Sequence, residues 1–128
     1  MGFCSGGRQS VLAPCRQPVD AAVDCYGAFV VGTPPRATRS RSSGSTTCWQ
    51  ICVPRCSGLF GNEDKYPSPE HVDELEKLLT EYGKEHEFHR YDDAGHAFFA
   101  VNRPSYRPAA ALDGWARIQD LYARHLSS

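Results

Sequence analysis

Two stretches carry apolar residues at helical spacing. Between Ser68 and Gly83, the positions Val72, Leu75, Leu78, Leu79 and Tyr82 fall three and four apart, which paints one side of a helix. Ser68 suits the N-cap, Pro69 suits the first helical position because its missing N–H has no partner to lose there, and Gly83 can end the helix in the left-handed conformation. The acids Glu70, Asp73, Glu74, Glu76 and Glu81 form its wet side. From about Pro108 to Leu126, Leu112, Trp115, Ile118, Tyr122 and Leu126 line up the same way and predict a second helix packed by that face. Arg8 to Leu12 reads as a shorter helix that Pro14 ends or kinks. Runs of branched and aromatic residues at Asp20 to Val31, Ser57 to Gly61 and Glu87 to Tyr91 read as strands. Strand and helix in alternation predict an α/β fold, a parallel sheet with flanking helices.

Neither period survives between Thr33 and Ser57. Prolines and then Arg36, Arg39 and Arg41 are scattered among Ser, Thr and Gly, so the segment is expected to be irregular or disordered. Cys48, Cys52 and Cys56 recur every fourth residue and would share a helical face. Structural zinc prefers closer cysteine pairs with a fourth ligand, and Pro54 interrupts any helix here, so no metal site is expected. The arginines have no aromatic platform beside them and read as a solvated loop rather than a nucleic-acid surface.

Composition narrows the picture. With 128 residues, 41% of them hydrophobic, the chain can bury one modest core, which predicts one domain over 1–128. A net charge of -1 gives no reason to expect a nucleic-acid or acidic-membrane partner. No apolar run approaches the roughly 18 residues of a membrane span, and the start lacks a secretory plan, so a cytoplasmic protein is expected. The six cysteines are then expected to be thiols rather than a disulfide framework. Met1-Gly2 touches the myristoylation pattern, which wants Ser or Thr where this chain has Gly6.

The candidate chemistry starts at Gly2-Phe3-Cys4-Ser5-Gly6-Gly7. A nucleophile elbow turns sharply from strand into helix, so its neighbours must be almost without side chains, and Gly2 and Gly6 fit that demand. Cys4 would be the exposed tip, and the Ser5 amide at the start of the helix one arm of an oxyanion hole. Only Met1 precedes Gly2, so the strand that should aim Cys4 is expected to be missing. Asp64 and His96 also follow predicted strands, where open α/β sheets gather their chemistry. Nucleophile, acid, histidine is the order of the α/β-hydrolases. Glu63 competes with Asp64 for the acidic role, and Asp64 can also be read as a turn residue. His71, His86, His89 and His125 fall on predicted helices or a strand and read as surface or structural residues.

Those residues carry a family resemblance. The stretches Gly2 to Gly7, Leu59-Phe60-Gly61-Asn62-Glu63-Asp64 and Gly95-His96-Ala97-Phe98-Phe99 together resemble the dienelactone hydrolase family, α/β-hydrolases with a cysteine nucleophile. Gly58 to Leu126 looks like the C-terminal part of such proteins, and Met1 to Gly32 like their central part from the elbow onward. The resemblance implies a partial α/β-hydrolase fold truncated before the nucleophile strand. It implies Cys4 as nucleophile, His96 as base and Asp64 as the acid that orients the histidine. A small-molecule ester or lactone is the implied substrate, with no cofactor.

The chain also departs from the pattern. The family's early strands bring a second oxyanion donor and the charged residues that grip a carboxylate-bearing substrate, and these 128 residues hold no counterpart. Pro34 to Cys56 departs from what the resemblance leads one to expect there, an ordered crossover rich in acids and leucines, and has the composition of a shifted reading frame, which an intact frame in the coding DNA would refute. Ala100 stands where better-known members carry a positive charge, with Arg103 near but not equivalent. Two functions follow as expectations: a dienelactone hydrolase-type enzyme, or a non-catalytic remnant of one that cannot assemble its site. An exposed sheet edge beside the elbow predicts self-association.

Overall fold

The computed structural model describes residues 1–15, 17–31 and 55–126. Four strands, β1 (Gly2–Phe3), β2 (Ala22–Cys25), β3 (Arg55–Gly61) and β4 (Glu85–Tyr91), lie side by side in chain order. Every pairing is parallel, which a chain can achieve only by crossing over a face of the sheet between strands. Helix α1 (Ser5–Leu12), continued by one 3-10 turn at Ala13–Cys15, follows β1; α2 (Pro69–Glu81) joins β3 to β4; α3 (Pro108–His125) closes the order. Val11, Cys56, Phe60, Val72, Leu75 and Leu79 pack together between the sheet and α1 and α2. Val23, Cys25, Leu59, Phe98, Ile118 and Leu121 pack together on the other face under α3. Coverage of both faces is why β2 and β3 read as unbroken runs instead of alternating ones.

The α2 expectation holds in detail. Val72, Leu75 and Leu79 are buried, and the Ser68 hydroxyl accepts from the His71 amide at 3.4 Å while the Ser68 amide donates to His71 Nδ1 at 3.2 Å. Two amides without a helical partner are thus satisfied reciprocally. Gly83 follows the helix at φ 64, as its position requires.

The buried face of α3 matches the predicted one at Ile118, which is buried, and at Tyr122, which packs against the core, and departs from it elsewhere. Leu112 is 75% exposed, Trp115 43% and Leu126 51%, while Ala110, Ala111, Gly114, Ile118 and Leu121 face the core. Small residues win because bulk comes from the other side: a Cβ on Gly114 would meet the Phe99 ring at 2.5 Å and Leu59 Cδ1 at 3.4 Å. The helix backbone sits close over those side chains at this point, and the neighbouring Leu112 and Trp115 are left exposed.

Three expectations about strands also change. β3 begins at Arg55 rather than Ser57, and β4 at Glu85 rather than Glu87, because the aligned pair Arg55 and Glu85 extends the ladder with a 3.0 Å ion pair that apolar patterning cannot reveal. Residues 55–57 of the supposedly irregular segment are therefore strand, and Cys56 is a buried strand residue rather than part of a cysteine-bearing helix face. The remainder of that segment, including Cys48, Cys52 and the arginines, lies outside the described residues. A strand does lead into Cys4: β1 has two residues, with Gly2 opposite Asp24 and Phe3 opposite Cys25. Among the described residues no helix is long and apolar enough to cross a membrane, and no group of three or more His, Cys, Asp or Glu is arranged to hold a metal.

Leu59 is fully buried at the centre of the sheet under α3. Leu59→Ala should lower the unfolding free energy by about 2–5 kcal/mol in urea denaturation. A loss below about 1 kcal/mol would mean that α3 does not rest on this strand.

Candidate functional site

Cys4 stands between the end of β1 and the first residue of α1, at φ 53 and ψ -122. Positive φ is costly for a residue with a Cβ, on the order of 1–3 kcal/mol, and persists only where the surroundings fix it. Here the Cys4 amide donates to the Cys25 carbonyl at 3.0 Å, and the Cys4 carbonyl accepts from the Arg8 amide at 3.3 Å. The residue is locked to β2 on one side and to the first turn of α1 on the other, with its thiol exposed. Ser5 opens α1, so its amide is among the first N–H groups that have no partner within the helix.

The glycines of the elbow divide differently from expectation. A Cβ on Gly2 would collide with the Gly6 carbonyl, so Gly2 is required by close approach. A Cβ on Gly6 would meet nothing within 4 Å, whereas one on Gly7 would run into the Asp24 carboxylate and the Cys25 backbone. The second glycine demanded by the turn is Gly7, because α1 rests on β2 there.

Asp64 lies in the loop after β3, buried, and His96 in the loop after β4. The two loops are joined by backbone hydrogen bonds, Asn62 N to Tyr91 O at 2.9 Å and Glu63 N to Ala94 O at 3.0 Å. Arg107 Nε, just before α3, donates to the Asp93 carbonyl at 2.8 Å and ties the histidine loop from the far side. Within this frame Asp64 Oδ2 lies 2.7 Å from His96 Nδ1, and His96 Nε2 lies 3.1 Å from Cys4 Sγ. All three predicted side chains are brought together. Glu63 points to solvent, and Asp64 makes the contact.

The hydrogen bond to Asp64 raises His96 from 6.5 to about 9; burial opposes this, and the bond to Cys4 adds to it. The carboxylate accepts the Nδ1 proton, which turns Nε2 toward the sulfur. Tyr26, at φ 46, packs its ring edge-on against the imidazole with centroids 5.1 Å apart. Cys4, His96, Ala28, Phe29, Lys65 and Tyr66 border a largely apolar cleft of about 590 Å³. The nucleophile therefore opens onto a space of small-molecule size.

Asp24 is the residue that sequence reasoning missed. It is 1% exposed, and its Oδ1 accepts from the Gly27 amide at 2.7 Å while Oδ2 has no hydrogen-bond partner among the described residues. Burial pushes it from 3.8 to about 7, with the Gly27 hydrogen bond working the other way. The bond to Gly27 closes the turn that carries Tyr26 to the imidazole. The available signal was an acid inside the apolar run Ala22-Val23-Asp24-Cys25, followed three residues later by a glycine. The remaining histidines lie away from the cleft: His71 caps α2, and His86 and His89 sit on β4. His125 ends α3.

Comparison with known proteins agrees with this fold. The family model described as dienelactone hydrolase family matches residues 1–126. A Yersinia pestis protein provisionally named carboxymethylenebutenolidase is 34% identical over 125 residues, covering 97% of this chain and 45% of its own. A Rhodococcus opacus carboxymethylenebutenolidase is 30% identical over 138 residues, covering 99% of this chain and 50% of its own. A crystal structure from Klebsiella pneumoniae subsp. pneumoniae, provisionally a dienelactone hydrolase, matches with TM-score 0.85 and 31% identity over 97% of this chain and 50% of that one. The chain spans about half the length of the curated relatives it matches.

The buried carboxyl makes a measurable prediction. Asp24 binds its proton more tightly folded than unfolded, so its contribution to stability is full below about pH 4 and is lost as pH rises through about 7. Relative to Asp24→Asn, the parent chain should lose a few kcal/mol of unfolding free energy across that window. Parallel stability profiles for the two would show that the carboxyl ionises without penalty.

Proposed function

The chain belongs to the dienelactone hydrolase family, and from that premise we propose that it hydrolyses a lactone or small carboxylic ester through Cys4, His96 and Asp64. The observation that carries this reading is the unbroken line of proton-transfer distances, 3.1 Å from sulfur to imidazole and 2.7 Å from imidazole to carboxylate. The names of the Yersinia and Rhodococcus relatives belong to the same reaction class and support it.

The chemistry follows from the residue types. An imidazole raised to about 9 keeps a proton at neutral pH, and the nucleophile the reaction requires is a thiolate at the sulfur 3.1 Å from its Nε2. That thiolate attacks the acyl carbonyl, a C–S bond forms, and the carbonyl electron pair moves to oxygen. The Ser5 amide, at the positive end of α1, is the donor suited to that oxyanion. Collapse restores the carbonyl and expels the alkoxide, which takes the Nε2 proton of His96. In a lactone this leaving group stays tethered to the acyl part. Water then loses a proton to Nε2 and attacks the thioester; the carboxylic acid departs and the thiolate–imidazolium pair is restored. Asp64 accepts a hydrogen bond from Nδ1–H throughout, so only the Nε2 proton is exchanged.

Two outcomes test the reading. Cys4→Ala should reduce kcat/KM for a small ester by about a thousandfold or more, with far-UV circular dichroism unchanged. In the parent chain, kcat/KM should fall above about pH 9, as His96 loses the proton that balances the thiolate and protonates the leaving group. Folded protein that shows neither acyl-enzyme nor turnover would favour the non-catalytic alternative.

A further inference from the structure

Phe29 and Tyr66 form an aromatic wall along the cleft in front of Cys4 and His96, with ring centroids 5.4 Å apart and planes inclined by 38°. We infer that this wall selects the substrate, and that the preferred ester or lactone carries an aromatic ring that stacks on it. The inference rests on the proposed ester chemistry and adds the substrate class.

The wall is fixed rather than incidental. Tyr66 is 45% exposed, an unusual state for a large ring held in place. It is nonetheless constrained from two directions. Its amide donates to Asp64 Oδ1 at 2.9 Å, so the carboxylate that orients His96 also sets the position of this residue. Its ring stacks on that of His71 with centroids 6.5 Å apart and planes 22° apart. His71 is itself pinned by the Ser68 capping exchange at the start of α2. Phe29 stands at φ 60, a conformation disfavoured for a bulky residue, in the turn that follows β2. Both rings thus line the cleft that Cys4 opens onto, carried by the turn after β2 and the loop after β3.

Geometry and charge narrow the ligand. The two rings are already in contact, so a third ring does not enter between them and must lie against their open faces, as offset or edge-on aromatic pairs do. Among the described residues bordering the cleft, Lys65 and the protonated His96 are matched in charge by Glu63 and Asp64, so these residues do not select for an anionic group and the aromatic faces are left to set the preference.

The test compares esters matched in leaving-group chemistry and differing in flatness: benzyl acetate against cyclohexylmethyl acetate, and methyl phenylacetate against methyl cyclohexylacetate. In the full chain, the aromatic member of at least one pair should have about tenfold higher kcat/KM. Tyr66→Leu and Phe29→Leu should bring that ratio to about one, and Tyr66→Phe should keep it. Binding is read separately, by NMR titration of benzyl acetate into the Cys4→Ala variant with and without Tyr66→Leu; at least fivefold weaker binding without the ring is expected. Equal ratios in the parent chain, or a ratio and affinity untouched by loss of either ring, would overturn the inference. Ring-dependent binding without turnover of any ester would instead overturn the catalytic reading and leave the wall standing.

Discussion

The backbone hydrogen bond from Cys4 to the Cys25 carbonyl is the constraint on which the site depends. A residue with a side chain leaves the φ 53 conformation unless the surrounding chain prevents it, and one hydrogen bond contributes only about 1 kcal/mol net. The bond succeeds because β2 is buried on both faces and cannot yield. Gly7 lets α1 settle directly over Asp24 and Cys25, and the Arg8 amide closes the first helical turn on Cys4. The sharp turn is thus a property of the packing of α1 on the sheet more than of the six residues that spell it.

From that corner the geometry propagates through paired loops. β2, β3 and β4 are in parallel register, so the loops leaving them open on the same edge as the elbow. The hydrogen bonds between the 62–64 and 91–94 segments fix the acid relative to the histidine before either side chain is considered. Two carboxyls then take opposite electrostatic roles. Asp64 has a proton donor on each oxygen, the imidazole and the Tyr66 amide, and its charge is useful. Asp24 has one donor and an otherwise apolar setting, so its burial favours the protonated form.

Much of this was legible from residue patterns. The α2 stripe, its Ser68 cap and its Gly83 terminus were readable because apolar spacing and capping chemistry agreed there. The order Cys4, Asp64, His96 was readable as a motif series, and the dienelactone hydrolase resemblance rested on the same three stretches. Ile118 was readable on the inward face of α3, but the first part of that face was hidden because it is built from Ala110, Ala111 and Gly114, which hydrophobic periodicity undervalues. The start of β3 was hidden because its first cross-strand pair is ionic. β1 was hidden because two residues are too few for any period, and its existence depends on Asp24 and Cys25 across the ladder. The requirement for glycine at position 7 rather than 6 depends on contacts some seventeen residues away in the chain, which no local rule contains.

The two oxygens of Asp64 are committed to different masters, one to the imidazole and one to the amide of the next turn. Lengthening that side chain by a single methylene would displace both at once. Descendants of this protein are therefore expected to revise the acid and the 65–67 turn in concert, a coupling that would restrict which mutational steps its evolution can take singly.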